Sequence, residues 1–153
     1  MGDLTATLTA SGRHELVIME VGDVLCGVDL TQIQEISKLL DITPVHHAPA
    51  YVRGVVNLRG QIVTVIDVQS KFGVPPLALN EAQRIVVVQW VGENIGLLVD
   101  KVQDIALVEA RDVLEPPANI SSISGAFFAG IYPMEQGLVA ILRLSELLNH
   151  DTH

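Results

Sequence analysis

Cysteine is nearly absent from this chain: Cys26 is the single thiol in 153 residues. That excludes an intrachain disulfide and any multi-cysteine zinc site, and it fits a reducing compartment such as the cytoplasm. Positive charge is scarce too. Nine Lys and Arg stand against 18 Asp and Glu, a formal charge of -9, and no two of the nine are neighbours. No sequence-local patch exists to displace counterions from phosphates, so nucleic acid is not expected as a partner. No apolar run approaches the roughly 18 residues of a membrane span. The opening MGDLTATLTASGR carries neither the basic nor the apolar region of a leader, and Ala6 stands where myristoylation needs Ser or Thr. Membrane insertion and lipid anchoring are therefore not expected. Charged residues make up 18% and hydrophobic ones 49%, the reverse of a disordered composition.

The spacings that announce catalysis are missing as well. No G-x-S-x-G, Walker A, H-E-x-x-H, C-x-x-C or EF-hand pattern occurs, so no catalytic residue, metal or cofactor is expected. His46-His47 offers two imidazoles that could bind a metal or titrate near neutrality. Chain neighbours point apart, however, and no further His or Cys is close in sequence, so these read as loop histidines ahead of Ala48-Pro49. Cys26 sits in a strand pattern with nothing basic beside it, as a small buried hydrophobe would. Asp29, Asp67 and Asp100 fall at strand ends, where carboxylates commonly accept turn N–H groups.

What the chain has is β-branched aliphatics: 21 Val and 13 Ile, residues that pack best on pleated surfaces. It also repeats itself. VGDVLCGVDLTQIQEI (Val21 to Ile36) resembles VGENIGLLVDKVQDI (Val91 to Ile105), with Val21-Gly22-Asp23 set over Val91-Gly92-Glu93 and, after a one-residue gap, Gly27 over Gly96. QIVTVIDVQSKF (Gln61 to Phe72) matches GLVAILRLSELL (Gly137 to Leu148) at a spacing of 76. Within each half the periodicity is that of short antiparallel strands. Gly22-Asp23, Gly92-Glu93 and Asn57-Leu58-Arg59-Gly60 mark turns. TQIQEISKLL suits either a strand or one helical turn, and LSELLNH suits a short C-terminal helix. The expectation is all-β, with two small packed barrels that leave few open sheet edges. In residue terms it comprises a flexible N-terminus over 1–14 and a domain over 15–150, with intertwined half-units near 15–74 and 84–148 joined by GVPPLALNEAQR.

Two charged residues stand out. Arg59 tops a turn between apolar strands, which suits either a solvated hairpin tip or an interface anchor. Glu35 lies between Ile33 and Ile36, which suits either a solvated face or a contact.

Taken in order, VGDVLCGVDLTQIQEI, ITPVHHAPAYVRGVVNLRGQIVTVIDVQSKFG, RIVVVQWVGENIGLLVDKVQDI and GLVAILRLSELL resemble the CheW-type chemotaxis coupling proteins from about Glu15 to Leu148. The resemblance implies two SH3-like five-stranded barrels. It also implies a cytoplasmic, non-enzymatic adaptor that bridges the cytoplasmic hairpin tips of methyl-accepting chemoreceptors to the regulatory domain of the histidine kinase CheA. By position, Ile33, Glu35 and Arg59 match family residues implicated in receptor contact. Ile105 falls where members meet kinase or receptor, and Gly54, Gly60 and Gly96 match glycines that serve the backbone. Cys26 occupies a position that is often aromatic in the family, and His46-His47 stand where less titratable residues are common, so these positions could tune one partner. The chain ends at His153, so no receiver or second domain is expected. A coupling protein for a pathway controlling pili, biofilm or development would read the same way. A small-molecule-binding barrel with its ligand in the groove between halves is a third alternative.

Overall fold

Neither sheet of this protein is built from one half of the chain. The structure, a computed structural model, describes residues 12–75 and 78–149; the expected flexible N-terminal stretch falls outside them over residues 1–11. β1 (Arg13–Val21) and β2 (Val24–Asp29) turn at Gly22-Asp23 and leave through a 3-10 turn, Leu30–Gln32, into β3 (Ile33–Lys38). Both readings of TQIQEISKLL are thus partly met. The turn is fixed by Asp29, whose carboxylate accepts the Thr31 N–H at 2.9 Å, and the strand begins at Ile33. β4 (Val52–Leu58) and β5 (Gln61–Asp67) form a hairpin followed by a helical turn, α1 (Val68–Lys71), capped by the Asp67 carboxylate on the Ser70 N–H at 3.1 Å. The second half runs through β6 (Arg84–Trp90), β7 (Glu93–Val99), β8 (Lys101–Glu109), β9 (Asn119–Ile120), β10 (Ile123–Ser124), β11 (Phe128–Met134) and β12 (Gly137–Leu142) to α2 (Leu144–Leu147).

The two five-stranded sheets have the orders β11-β12-β2-β1-β8 and β4-β5-β7-β6-β3, the same arrangement with the halves exchanged. Each sheet closes towards an SH3-like barrel. In each, a strand of one half lies parallel to a strand of the other: Gly27 opposite Ile141 in the first, Gly96 opposite Val65 in the second. Irregularities recur at matching places. The β1–β8 ladder shifts register at Gln103 and the β3–β6 ladder at Gln34, while β4 and β11 each shift ahead of a glycine, Gly54 and Gly130. A duplicated sequence has therefore folded twice with its bulges intact, each barrel borrowing the last strands of the other half.

The core explains why the barrels do not separate. One apolar cluster joins Val17, Met19 and Phe128 of the first sheet to Ile66, Val86 and Leu97 of the second, and two smaller clusters fill the individual barrels. Phe72, just after α1, packs its ring on Phe127 and Phe128 with centroids 5.3 and 5.5 Å away. Lys71 spans the same seam, its Nζ 4.0 Å from the Tyr51 ring centroid and donating to the Asn149 carbonyl at 3.4 Å. Burial holds the Lys71 pKa below its ordinary value, and the Glu146 carboxylate opposes that shift.

The sequence alignment is off by one residue at a single turn. Val21 pairs with Val24 and Trp90 with Glu93, so the two hairpins superpose without a gap and Val91, not Gly92, lies over Gly22. Identical Val-Gly letters drew the alignment away from the strand register. The consequence is visible in the backbone: Gly22 takes φ +59°, and Val91, a β-branched residue, takes φ +49° in the same place.

Candidate functional site

Arg59 is presented by a tight two-residue turn. Leu58 and Gln61 close the ladder, Arg59 and Gly60 take φ of +54° and +81°, and the Asn57 Oδ1 accepts the Gly60 N–H at 3.0 Å. Gly60 supplies the second left-handed residue without a Cβ penalty. The hairpin is held from behind by an isolated bridge between Thr43 and Val55. At Gly54 any Cβ would overlap the Thr43 carbonyl, so glycine is needed there for close backbone approach. At Gly96 the strand is packed against Ile85, leaving no room for a methyl group.

The turn delivers the guanidinium to Glu35. Arg59 Nε lies 3.4 Å from Glu35 Oε1, with the arginine side chain 82% exposed and the glutamate 30%. Two residues singled out separately in the sequence thus meet across the open side of the second barrel. The bulge at Gln34 sets the geometry. Glu35 sits opposite Val87, and Gln34 reaches Gln89, two residues along on the same face of β6, with Nε2 to Oε1 at 3.4 Å. Gln34 and Glu35 therefore face one way, although they are neighbours in a strand.

Ile33 does not join them. It pairs with Val88 and packs, half-buried, against the shared core. The exposed apolar residue on this strand is Ile36, at 41%. Ile105 belongs to the other sheet, on its edge strand β8, where it is 52% exposed beside the equally open Leu107. The structure brings together Glu35 and Arg59 and leaves Ile33 and Ile105 on other faces. Sequence reasoning did not single out Trp90, the one tryptophan, at the end of β6 beside Gln89. Its position in a hairpin next to a bulge is a tertiary fact with no sequence signal.

The titratable candidates resolve individually. Asp29, Asp67 and Asp100 each accept a turn N–H, from Thr31, Ser70 and Gly22, and Asp67 also pairs with Arg53 at 3.1 Å. Cys26 is fully buried, and burial pushes its thiol pKa far above the ordinary range. His46 and His47 are exposed in the loop before β4, their ring centroids 6.4 Å apart, and among the described residues no group of three or more His, Cys, Asp or Glu is gathered to hold a metal. No helix of the described residues is long and apolar enough to cross a membrane.

Two SH3-like barrels joined by one apolar cluster, with Arg59 on the β4–β5 turn facing Glu35 on β3, are the architecture of a scaffold domain. The CheW-like domain family matches residues 15–152. The chemotaxis protein CheW of Rhizobium meliloti (strain 1021) is 34% identical over 140 residues, 92% of this chain and 90% of its own length. That of Treponema pallidum (strain Nichols) is 27% identical over 141 residues, 90% of this chain and 83% of its own. The crystal structure of the scaffolding protein TtCheW from Thermoanaerobacter tengcongensis superposes with a TM-score of 0.83 at 27% identity, over 94% of this chain and 93% of that one. This chain belongs to the CheW-like family. Its members are scaffolds rather than enzymes, and the chain is an adaptor of chemosensory signal transduction that couples chemoreceptors to the histidine kinase CheA.

Proposed function

We propose that the Glu35–Arg59 face of the second barrel contacts the cytoplasmic hairpin tip of a methyl-accepting chemoreceptor, with Ile33 supporting the strand that presents it. The exposed β8 face around Ile105 meets the regulatory domain of CheA or the receptor. The protein works in the cytoplasm, makes and breaks no covalent bond, and needs no cofactor. The carrying observation is the 3.4 Å approach of Arg59 to Glu35. The carboxylate limits where the guanidinium can go while most of the arginine stays open, and a pre-positioned arginine loses less freedom when it anchors a partner.

The mechanism follows from rigidity. The shared apolar cluster makes the two barrels one body, so a receptor on one face and a kinase on another are held at fixed separation. Linking weak contacts in this way raises the effective concentration of each partner for the other. Better binding of one kinase state than another then shifts the kinase population by that difference in affinity.

The test is binding of the Arg59→Glu variant to a soluble receptor cytoplasmic fragment and, separately, to the kinase regulatory domain. Loss of receptor binding with a melting temperature lowered by no more than a few degrees is the expected result. Unchanged receptor binding, or an equal fall in stability, removes Arg59 from the interface.

A further inference from the structure

Val91 is the most exposed large apolar residue described, at 83%, and it sits at φ +49° on the tip of the β6–β7 hairpin. Left-handed backbone is poor for a β-branched side chain, and the twin hairpin solves the same turn with Gly22. A strained conformation and a fully presented apolar side chain together work against folding and solubility. Such outliers concentrate where a surface binds something. Beside Val91 runs a cleft of about 490 Å³ lined by Thr31, Gln32, Gln34, Gln89, Trp90 and Val91. Its lining holds one indole, three primary amides, a hydroxyl and no ionisable group.

The cleft continues the face already described. Gln34, which lines it, is the bulge residue next to Glu35 and points the same way. A partner helix resting on Glu35 and Arg59 that extends along β3 runs onto Gln34, Gln89 and the Val91 tip, while Trp90, on the alternate face of β6, packs against the shared core and lines the cleft from beneath that tip.

We propose that the Trp90-Val91 tip and its amide-lined cleft form the second anchor of the receptor-docking face, which determines which receptor segment is accepted. This rests on the receptor reading of Glu35 and Arg59. The occupant is the chemoreceptor's cytoplasmic helix. The chemistry selects a stretch that is uncharged at this end, with an apolar side chain against the indole and Val91 and amide or hydroxyl groups against the glutamines. A carboxylate or ammonium placed here would lose water and find no counter-charge.

The experiment titrates a soluble fragment of the receptor's cytoplasmic helical hairpin into the full chain. Affinity and the emission of Trp90, the only indole, are both followed. Wild type, Val91→Asn and Arg59→Glu are compared, with the CheA regulatory domain as the control titrant. Val91→Asn suits the left-handed turn, so it keeps the fold. The expected results are a change in Trp90 emission on receptor binding and a receptor affinity about tenfold weaker for Val91→Asn, with kinase-domain affinity unchanged. If Arg59→Glu weakens receptor binding and Val91→Asn does not, the second anchor is overturned and the Glu35–Arg59 reading stands. If Val91→Asn weakens it and Arg59→Glu does not, the tip is a receptor contact and the Glu35–Arg59 reading falls. Receptor binding with no change in Trp90 emission, or an emission change only with the kinase domain, overturns the proposal.

Discussion

Arg59 Nε and Glu35 Oε1 stand 3.4 Å apart, one carried by the β4–β5 turn and the other by the first residues after the β3 bulge. The pair is an exposed ion pair, and exposed pairs contribute roughly 0–1 kcal/mol to stability. Arg59→Glu places two carboxylates together, so we expect a small drop in stability, within about 1 kcal/mol by the same reasoning, and a large loss of receptor affinity. Thermal melts beside a binding titration check both. Raising the salt concentration should weaken wild-type receptor binding and leave the variant less affected.

Val91 offers a prediction on stability alone. Val91→Asn places an Asn-Gly pair in a two-residue turn whose two central residues both have positive φ, at +49° and +78°. Relief of the β-branched strain should raise unfolding free energy by roughly 0.5–1 kcal/mol, measured by urea denaturation. A less stable variant would mean that Val91 packs against something that the turn does not reveal.

The seam predicts cooperativity. Phe128 is fully buried in the cluster shared by both barrels, touching Phe72 of the second barrel. Phe128→Ala should cost about 3–5 kcal/mol. It should also lower both barrels together, in one transition seen equally by circular dichroism and by Trp90 fluorescence. Two separated transitions would show that the barrels unfold independently and that the cluster does not couple them.

Cys26 should be silent towards thiol reagents. Its burial keeps the thiol protonated across the physiological range, so reaction with a disulfide reagent should require opening of the fold. The measured labelling rate in native buffer should rise with added denaturant. Fast labelling without denaturant would contradict the burial.

Much of this was legible in the chain. Period-two runs such as Val63, Val65 and Asp67 against Ile62, Thr64 and Ile66 announce strands, and β5 spans those residues. The repeat was readable because copies keep their hydrophobic pattern: Gly27 over Gly96 is recovered in the parallel ladders of both sheets. The one-residue slip at the turn arose because letters were matched where the backbone counts hydrogen-bonded pairs. Glu35 and Arg59 could be singled out as charges among apolar neighbours, whereas Trp90 and Val91 look ordinary in sequence. Their significance lies in a φ angle and a neighbouring bulge.

Local chemistry therefore settled most of the strands and the doubling, and it placed the β6–β7 turn one residue late, because strand pattern and repetition are written in residue type and spacing within a few positions. Only the tertiary structure decided which strands the intertwined halves exchange and that one apolar cluster fuses the barrels. It also decided that Glu35 faces Arg59 while Ile33 turns inward. Those outcomes depend on which distant strands pair and in which register, a choice made by the collective burial of both halves, and a shift of one residue would turn every side chain to the opposite face.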